Sequence, residues 1–195
     1  MGSLNPLVDR RPGSIILVGA MTRRLLATTL FSFILSSFGA QAAEEGPKIF
    51  KVNDLTFPRP DGWKWEQPTS SMRKAQLSAP GKDGAADVVF FYFGSGGAGG
   101  VQANVDRWMG QFQDVRDKKS EKRTIGGIDV TFVEAAGTFL SGPPFGQKVP
   151  KAGYALRGAI VGAKGGAIFI KMTGPEKTVA DATGEFMKMT EKALK

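Results

Sequence analysis

Residues 123–133 read RTIGGIDVTFV, two runs of strand-forming residues separated by the pair Gly126-Gly127. Glycine tolerates the positive φ angles that a two-residue hairpin turn requires, so this pair predicts an antiparallel hairpin. A second hairpin is predicted downstream, with strands at residues 156–163 and 167–173 around Lys164-Gly165-Gly166. Two hairpins in succession indicate a mainly antiparallel β-sheet.

Strands are also predicted upstream of these hairpins. Residues 88–93, VVFFYF, are apolar on both alternating faces, as expected for a central strand that is covered from both sides. Shorter strands are predicted at residues 51–57, 63–65 and 72–77. Trp63 and Trp65 would share one face of their strand because side chains alternate along it.

Two amphipathic helices complete the predicted domain. The second is expected to begin with a capping box, Thr173-Gly174-Pro175-Glu176. We therefore predict an α+β fold in which two helices pack on a mainly antiparallel sheet. The apolar positions that recur at helical spacing are Val101, Val105, Trp108, Met109 and Phe112 in the first helix, and Val179, Ala182, Phe186, Met189 and Ala193 in the second.

The N-terminal region carries a targeting signal. Arg23-Arg24 precede an uncharged apolar run at residues 25–38, which is shorter than the ~20 residues that a membrane-spanning helix needs. Residues 40–42, Ala-Gln-Ala, match a signal-peptidase site, so cleavage is predicted between Ala42 and Ala43. We interpret residues 21–42 as a signal peptide and residues 1–20 as an upstream-start extension. An uncleaved membrane anchor is the alternative.

This interpretation divides the chain into an exported precursor segment and one mature domain. The mature domain would be a single α+β unit at residues 43–195, located in the periplasm or outside the cell after general secretion. We expect no stable membrane anchor after cleavage, since no other segment is predicted to hold one.

Composition excludes several chemistries. The 195 residues contain neither Cys nor His, which removes disulfides, thiolate zinc sites and the Ser-His-Asp triad. The net charge of +8 falls to +5 once the +3 of residues 1–42 is set aside. Because acidic residues lie among the lysines of the densest basic stretch, 118–123, we predict a solvated mixed-charge face there and no nucleic-acid partner.

A glycine-rich loop at residues 94–100, GSGGAGG, precedes the first helix and matches G-x-G-x-x-G. A dinucleotide site would need a parallel βαβ unit, whereas the strands here form antiparallel hairpins. A weaker hypothesis is that the backbone N–H groups of Gly97, Gly99, Gly100 and Val101 contact an anion at the helix N-terminus. The alternative is a plain flexible connection.

A proline-rich loop lies at residues 141–153. Long loops of this kind are often either functional or disordered, and one hypothesis is that Pro143, Pro144 and Phe145 contact a partner. We find no nucleophile elbow and no catalytic or metal-ligating pattern, so no catalytic residue, metal or cofactor is predicted.

Several short patterns occur along the mature domain: Phe57-x-x-Pro60-x-Gly62-Trp63, Met72-Arg73-x-Ala75-Gln76, Asn104-x-x-x-Trp108 and Thr173-Gly174-Pro175. Together they resemble exported bacterial proteins of uncharacterised function, similar to the Mog1/PsbP-like α/β sandwich. The resemblance covers about residues 48–194 and implies a binding or assembly role, because that fold has hosted a nuclear GTPase-binding protein and a lumenal photosystem subunit.

We therefore expect a soluble, extracytoplasmic, non-catalytic binding or accessory protein, with an envelope protein as one candidate partner. Two alternatives remain open. One is a hydrolase that uses converged Asp and Glu residues on envelope or carbohydrate substrates. The other is a small-ligand carrier with an apolar cavity between the sheet and a helix.

Overall fold

The computed structural model describes residues 46–143 and 145–195. The predicted extension at 1–20, the predicted signal peptide at 21–42, the predicted cleavage site Ala42–Ala43 and Pro144 of the predicted partner loop lie outside the described residues. The elements run in the order β1 (Ile49–Val52), β2 (Leu55–Pro58), β3 (Lys64–Glu66), β4 (Arg73–Ala79), β5 (Ala86–Tyr92), α1 (Val101–Met109), β6 (Phe112–Ile125), β7 (Ile128–Ser141), β8 (Val149–Ala163), β9 (Gly166–Pro175) and α2 (Glu176–Lys192).

Seven strands form one sheet in the order β3-β4-β5-β9-β8-β7-β6. Every neighbouring pair is antiparallel, and both predicted hairpins are present. Gly126 and Gly127 have φ angles of 58° and 79°, as a tight turn between right-twisted strands requires. The predicted α+β class with two helices and a mainly antiparallel sheet is confirmed.

The local predictions at residues 51–57 and at the start of α2 are wrong. Residues 51–57 do not form one strand, because Asn53 takes a left-handed conformation (φ 54°) and turns β1 back onto β2 in a separate two-stranded sheet. The capping box also fails: Thr173 and Gly174 belong to β9, and α2 begins after Pro175 without a side-chain cap. In both cases tertiary pairing of the strands outweighs the local signal.

One face of the large sheet is sealed by α2 together with the β1–β2 hairpin. Phe57, Phe90 and Phe186 are fully buried in this core, and each contributes on the order of 2–3 kcal/mol through burial. The ring centroids of Phe57 and Phe90 lie 5.1 Å apart in an edge-on arrangement. This face is the main hydrophobic core of the domain.

The opposite face is covered by α1, whose predicted apolar stripe is buried against the sheet through Val105, Trp108 and Met109. Gly158 of β8 allows the close approach, since a Cβ atom there would lie 2.3 Å from the Trp108 ring. The helix ends at Met109, before the turn at Gly110, so the prediction that Phe112 belongs to it is wrong: Phe112 is the first residue of β6 and packs against the same helix. Val101 of the predicted stripe is exposed. The strands extend beyond the end of the helix. Part of this sheet face is therefore left without a helix over it.

Within the described ranges, no helix has the length and apolar character needed to cross a bilayer.

Candidate functional site

A cavity of about 310 Å³ lies on the α1 face of the sheet, past the end of that helix. Its walls come from β4, β5 and β9, from the turn after α1, and from the ends of β7 and β8 with the loop between them. The charged side chains that line it, among the described residues, are the cations Arg73, Lys148, Lys151 and Lys171 and the carboxylate Asp87. The cavity therefore carries an excess of positive charge.

Lys171 is placed at the cavity by the alternation of β9. Its neighbours Ile170 and Met172 are fully buried in the core beneath α2, so the intervening side chain lies on the α1 face. The Nζ atom donates a hydrogen bond to Oε1 of Gln111 and lies 5.1 Å from the centroid of the Phe139 ring. A neutral amide and an aromatic face are thus the direct partners of the ammonium group.

Burial lowers the pKa of Lys171 from its ordinary 10.5 to about 8, because a low-dielectric environment disfavours the charged ammonium form. The negative charge of Asp87 opposes this shift, and the positive charge of Arg73 adds to it. In the described part of the chain, no carboxylate lies within ion-pair distance of the Lys171 ammonium group. The direct contacts of the amine are therefore the Gln111 amide and the Phe139 ring.

Gln111 is held in place by the backbone of the turn that follows α1. Its N–H donates to the carbonyl of Trp108 (3.2 Å), and its own carbonyl accepts a hydrogen bond from the N–H of Leu140 (2.8 Å). These two bonds tie the end of the helix to β7. They fix the position from which the Gln111 amide reaches Lys171.

Asp87 and Arg73 form a polar network on the neighbouring strands. Nη1 of Arg73 donates to Oε1 of Gln76 (2.9 Å) and lies 3.4 Å from Oδ2 of Asp87, while Nε2 of Gln76 donates to Oδ1 of Asp87 (2.9 Å). A β-bulge between Arg73 and Ala75 re-aims Arg73 toward Gln76. Burial raises the pKa of Asp87, against the opposing effects of Arg73 and Gln76.

The loop between β7 and β8 forms the remaining wall. Nζ of Lys148 donates to the carbonyls of Gly142 (3.3 Å) and Pro143, which closes the loop on itself. Nζ of Lys151 lies 5.2 Å from the centroid of the Tyr154 ring, and Tyr154 stacks on Phe139. The cavity thus combines cationic groups with two aromatic side chains.

The predicted partner loop is this loop between β7 and β8. Phe145 is completely exposed at its tip, and Pro143 is exposed beside it. Partner contact by this loop stays a prediction. The structure adds that its base, through Lys148, borders the cavity.

The predicted anion contact lies at the N-terminus of α1. Gly97, Gly99, Gly100 and Val101 are exposed, and the helix has neither a side-chain cap nor an acidic residue in its first turn. The side-chain amide of Asn104 donates to the carbonyls of Ala98 and Gly100, both at 2.9 Å, and stabilises the loop. Anion binding here stays a prediction.

A smaller cavity of about 130 Å³ lies between α2 and the sheet, and it gathers carboxylates of three elements, Asp117, Glu134 and Glu176. Glu134 forms an ion pair with Arg157, and Glu176 forms one with Arg116 (2.8 Å). Both of these carboxylates are therefore engaged in ion pairs with arginines. In the described ranges, no group of three or more acidic side chains is arranged to hold a metal ion.

Sequence reasoning missed most of the larger cavity. Asp87 lies within β5 and has no sequence pattern that marks it as a site residue. The detectable signal was Lys171, a single lysine inside an otherwise apolar strand that the hairpin pattern places in the sheet interior. Arg73, Gln111 and Lys151 are distant in sequence and come together only through the strand order.

No protein-family model and no curated protein matches this sequence. Among solved structures, the chain is similar to PA94 of Pseudomonas aeruginosa, a protein of unknown function (13% identity, TM-score 0.43, covering 73% of this chain and 92% of that one). It is also similar to the cyanobacterial PsbP, CyanoP, of Synechocystis sp. PCC 6803 (14% identity, TM-score 0.47, covering 76% and 93%). Similarity at this level says nothing about what the chain binds.

Proposed function

We propose that this protein is exported and acts as a non-catalytic binding protein that holds an acidic ligand in the 310 Å³ cavity on the α1 face. The observation that carries the proposal is the charge imbalance there, with four cationic side chains against the single carboxylate of Asp87 among the described lining residues. A concave site of this size with convergent polar groups is typical of small-ligand binding.

The arrangement of the cations supports an acidic ligand over a cationic or neutral one. Lys171 lacks a carboxylate partner, and removing its charge from water without one is unfavourable. A carboxylate or phosphate group that entered the cavity would supply the missing counter-charge. Phe139 and Tyr154 offer an apolar surface for the remainder of the ligand.

The signal peptide predicted at residues 21–42 favours an extracytoplasmic location, so the acidic group would belong to an envelope component or to a periplasmic solute. The exposed Phe145 beside the same loop supports a larger partner whose acidic group enters the cavity. The two alternatives receive less support. The cavity under α2 is too small for a carried lipid, and two of its carboxylates are paired with arginines.

Isothermal titration calorimetry with phenyl phosphate tests the proposal. We expect saturable binding that weakens at least about tenfold in Lys171→Met, because one charge-assisted hydrogen bond contributes on the order of 1.5–3 kcal/mol. Lys188→Gln is the matched control, since Lys188 is an exposed lysine on α2 that pairs with Glu185. Absence of binding by the wild-type protein, or equal losses in both variants, contradicts the proposal.

A further inference from the structure

We infer that the side-chain amine of Lys171 captures acidic aldehydes and ketones covalently and reversibly, as an imine, within the cavity described above. The inference rests on the proposed acidic-ligand function and deepens it, since it names the ligand class as a carbonyl compound that carries a phosphate or carboxylate. The site is a binding site in which the ligand is held by a covalent bond as well as by charge.

The first argument is the position of the amine. Lys171 lines a cavity of about 310 Å³, so a small molecule can reach Nζ. Its direct polar partner is the neutral amide of Gln111. A carboxylate partner stabilises the charged ammonium form of a lysine, which is not nucleophilic. A neutral amide carries no negative charge and stabilises that form less.

The second argument is the arrangement of charge around the amine. Arg73, Lys148 and Lys151 line the same cavity and can hold the acidic group of a ligand while its carbonyl carbon approaches Nζ. Positive neighbours also favour the neutral form of an amine. Asp87 acts in the opposite direction, and Tyr154 is the remaining titratable side chain at the cavity.

The lowered pKa agrees with this geometry. With a pKa of about 8, roughly a quarter of Lys171 carries the neutral amine at about pH 7.5, against about one part in a thousand for an ordinary exposed lysine. Only the neutral amine has the lone pair that attacks a carbonyl carbon. Lys171 should therefore react faster than the exposed lysines of the same molecule.

The chemistry balances without an oxidant or reductant. The nitrogen lone pair forms a bond to the carbonyl carbon, the nitrogen loses a proton, and the carbonyl oxygen gains one to give a carbinolamine. The carbinolamine then loses its oxygen as water and leaves a carbon–nitrogen double bond. Each imine formed releases one water molecule, and protons exchange with solvent.

The test uses pyridoxal 5′-phosphate as an acidic aldehyde probe and pyridoxal as its phosphate-free counterpart. After brief incubation of the purified protein and reduction with borohydride, peptide mass spectrometry locates the modified lysines. We expect the phosphate form to label Lys171 at least about tenfold faster than Lys188. Pyridoxal should show a several-fold smaller preference for Lys171 over Lys188, a ratio that cancels the lower aldehyde content of pyridoxal, which closes to an internal hemiacetal. Labelling spread evenly over exposed lysines, or absent from Lys171, overturns the inference.

Variants add a second measurement, and the wild-type labelling map does not depend on their folding. Lys171→Arg keeps the charge and removes the primary amine, so it should abolish the label at position 171. Lys188→Arg should leave labelling of Lys171 unchanged. Loss of Lys171 labelling in Lys188→Arg would overturn the inference.

Phenyl phosphate separates failure of this inference from failure of the proposed function, because it is acidic but has no carbonyl. If phenyl phosphate binds at the cavity and Lys171 remains unlabelled, the covalent inference is wrong and the proposed function stands. If phenyl phosphate does not bind, and pyridoxal prefers Lys171 over Lys188 as strongly as its phosphate does, the acidic-ligand function is wrong and the inference falls with it.

Discussion

Two cationic side chains are withdrawn from solvent on opposite faces of the same sheet, and they differ in how their charge is balanced. Arg157 of β8 lies under α2 with its side chain 11% exposed, and it pairs with Glu134. Lys171 of β9 lies on the α1 face with the Gln111 amide as its direct partner. Arg157 faces a cavity of about 130 Å³, and Lys171 faces one of about 310 Å³.

The difference indicates which of the two positions serves stability and which serves binding. Arg157 is held from several sides, by Glu134, by the sulfur of Met187 at 3.2 Å and by the Phe132 ring at 5.9 Å. Burial lowers its pKa as well, yet the ion pair supplies a counter-charge. Among the described residues no carboxylate forms an ion pair with Lys171, and Asp87 acts on it only through longer-range charge interaction. A buried cation without a direct counter-charge costs stability unless a ligand supplies one.

The largest expected effect on stability is at Arg157, the cation that pairs with Glu134. Glu134→Gln should leave Arg157 partly buried without its carboxylate, and its Nε already has no hydrogen-bond partner among the described residues. We expect a loss of about 2–3 kcal/mol in the free energy of unfolding, below the range for a fully buried pair because Glu134 is 39% exposed. Urea unfolding measures it. Glu185→Gln, which breaks an exposed pair, serves as control and should change little.

A loss in Glu134→Gln no larger than in Glu185→Gln would contradict the stabilising role of the Arg157 pair. Phenyl phosphate affinity should be unchanged in both variants. A change in affinity at Glu134→Gln alone would show that the two faces of the sheet are coupled.

At Lys171, the cation without an ion-pair partner, the expected change in the free energy of unfolding has the opposite sign. Lys171→Met should stabilise the protein by about 2 kcal/mol near pH 7, because an apolar side chain replaces a buried charge. The folded pKa of about 8 lies below the ordinary 10.5, so between these pH values the unfolded chain binds more protons and wild-type stability rises with pH.

The advantage of Lys171→Met should therefore be complete below about pH 8 and gone above about pH 10.5, which denaturant unfolding at a series of pH values can follow. A variant that is less stable than wild type at pH 7, or an advantage that does not change with pH, would contradict the account.

A smaller effect is expected at the carboxylate of the cavity. Asp87→Asn removes the negative charge that opposes ligand binding, so phenyl phosphate should bind roughly threefold to tenfold more tightly at about pH 6.5, where Lys171 is protonated. The pKa of Lys171 should fall further, because Asp87 raises it in the wild-type protein. Calorimetry gives the affinity, and Asp181→Asn on α2 is the control. Weaker binding in Asp87→Asn would show that Asp87 holds the ligand.

The smallest effect on stability is expected at the loop. Phe145 is fully exposed, so Phe145→Ser should change the unfolding free energy by less than about 0.5 kcal/mol. If the loop contacts a partner, pull-down from envelope extracts should recover less of the partners that are captured by the wild-type protein. Equal recovery by the variant and the wild type would remove the partner role of Phe145.

Much of the fold could be predicted from short-range signals. The Gly126-Gly127 turn and the helical spacing around Trp108 each depend on a few neighbouring residues, and both predictions are confirmed. The β1–β2 hairpin was missed because its turn contains no glycine: Asn53 itself adopts the left-handed conformation. The length of β6 was missed because almost all of Phe112–Ile125 is exposed and has no apolar pattern.

The candidate site could not be predicted in the same way. Its residues come from five strands and two turns, and the strand order that places β9 beside both β5 and β8 has no signature in any one segment. The bulge that re-aims Arg73 and the hydrogen bond that fixes Gln111 depend on tertiary contacts. Lys171 alone had a local signal, a charge in the interior of an apolar strand.

The central claim is that Lys171 is a withdrawn amine without a counter-charge that an acidic ligand can supply. It is tested most directly by ¹³C NMR titration of the lysine ε-carbons, with the Lys171 signal assigned by its absence in Lys171→Arg. We predict a pKa of about 8 in the free protein and a higher pKa when phenyl phosphate is bound. A Lys171 that titrates with the exposed lysines near pH 10.5, unchanged by phenyl phosphate, would contradict the account.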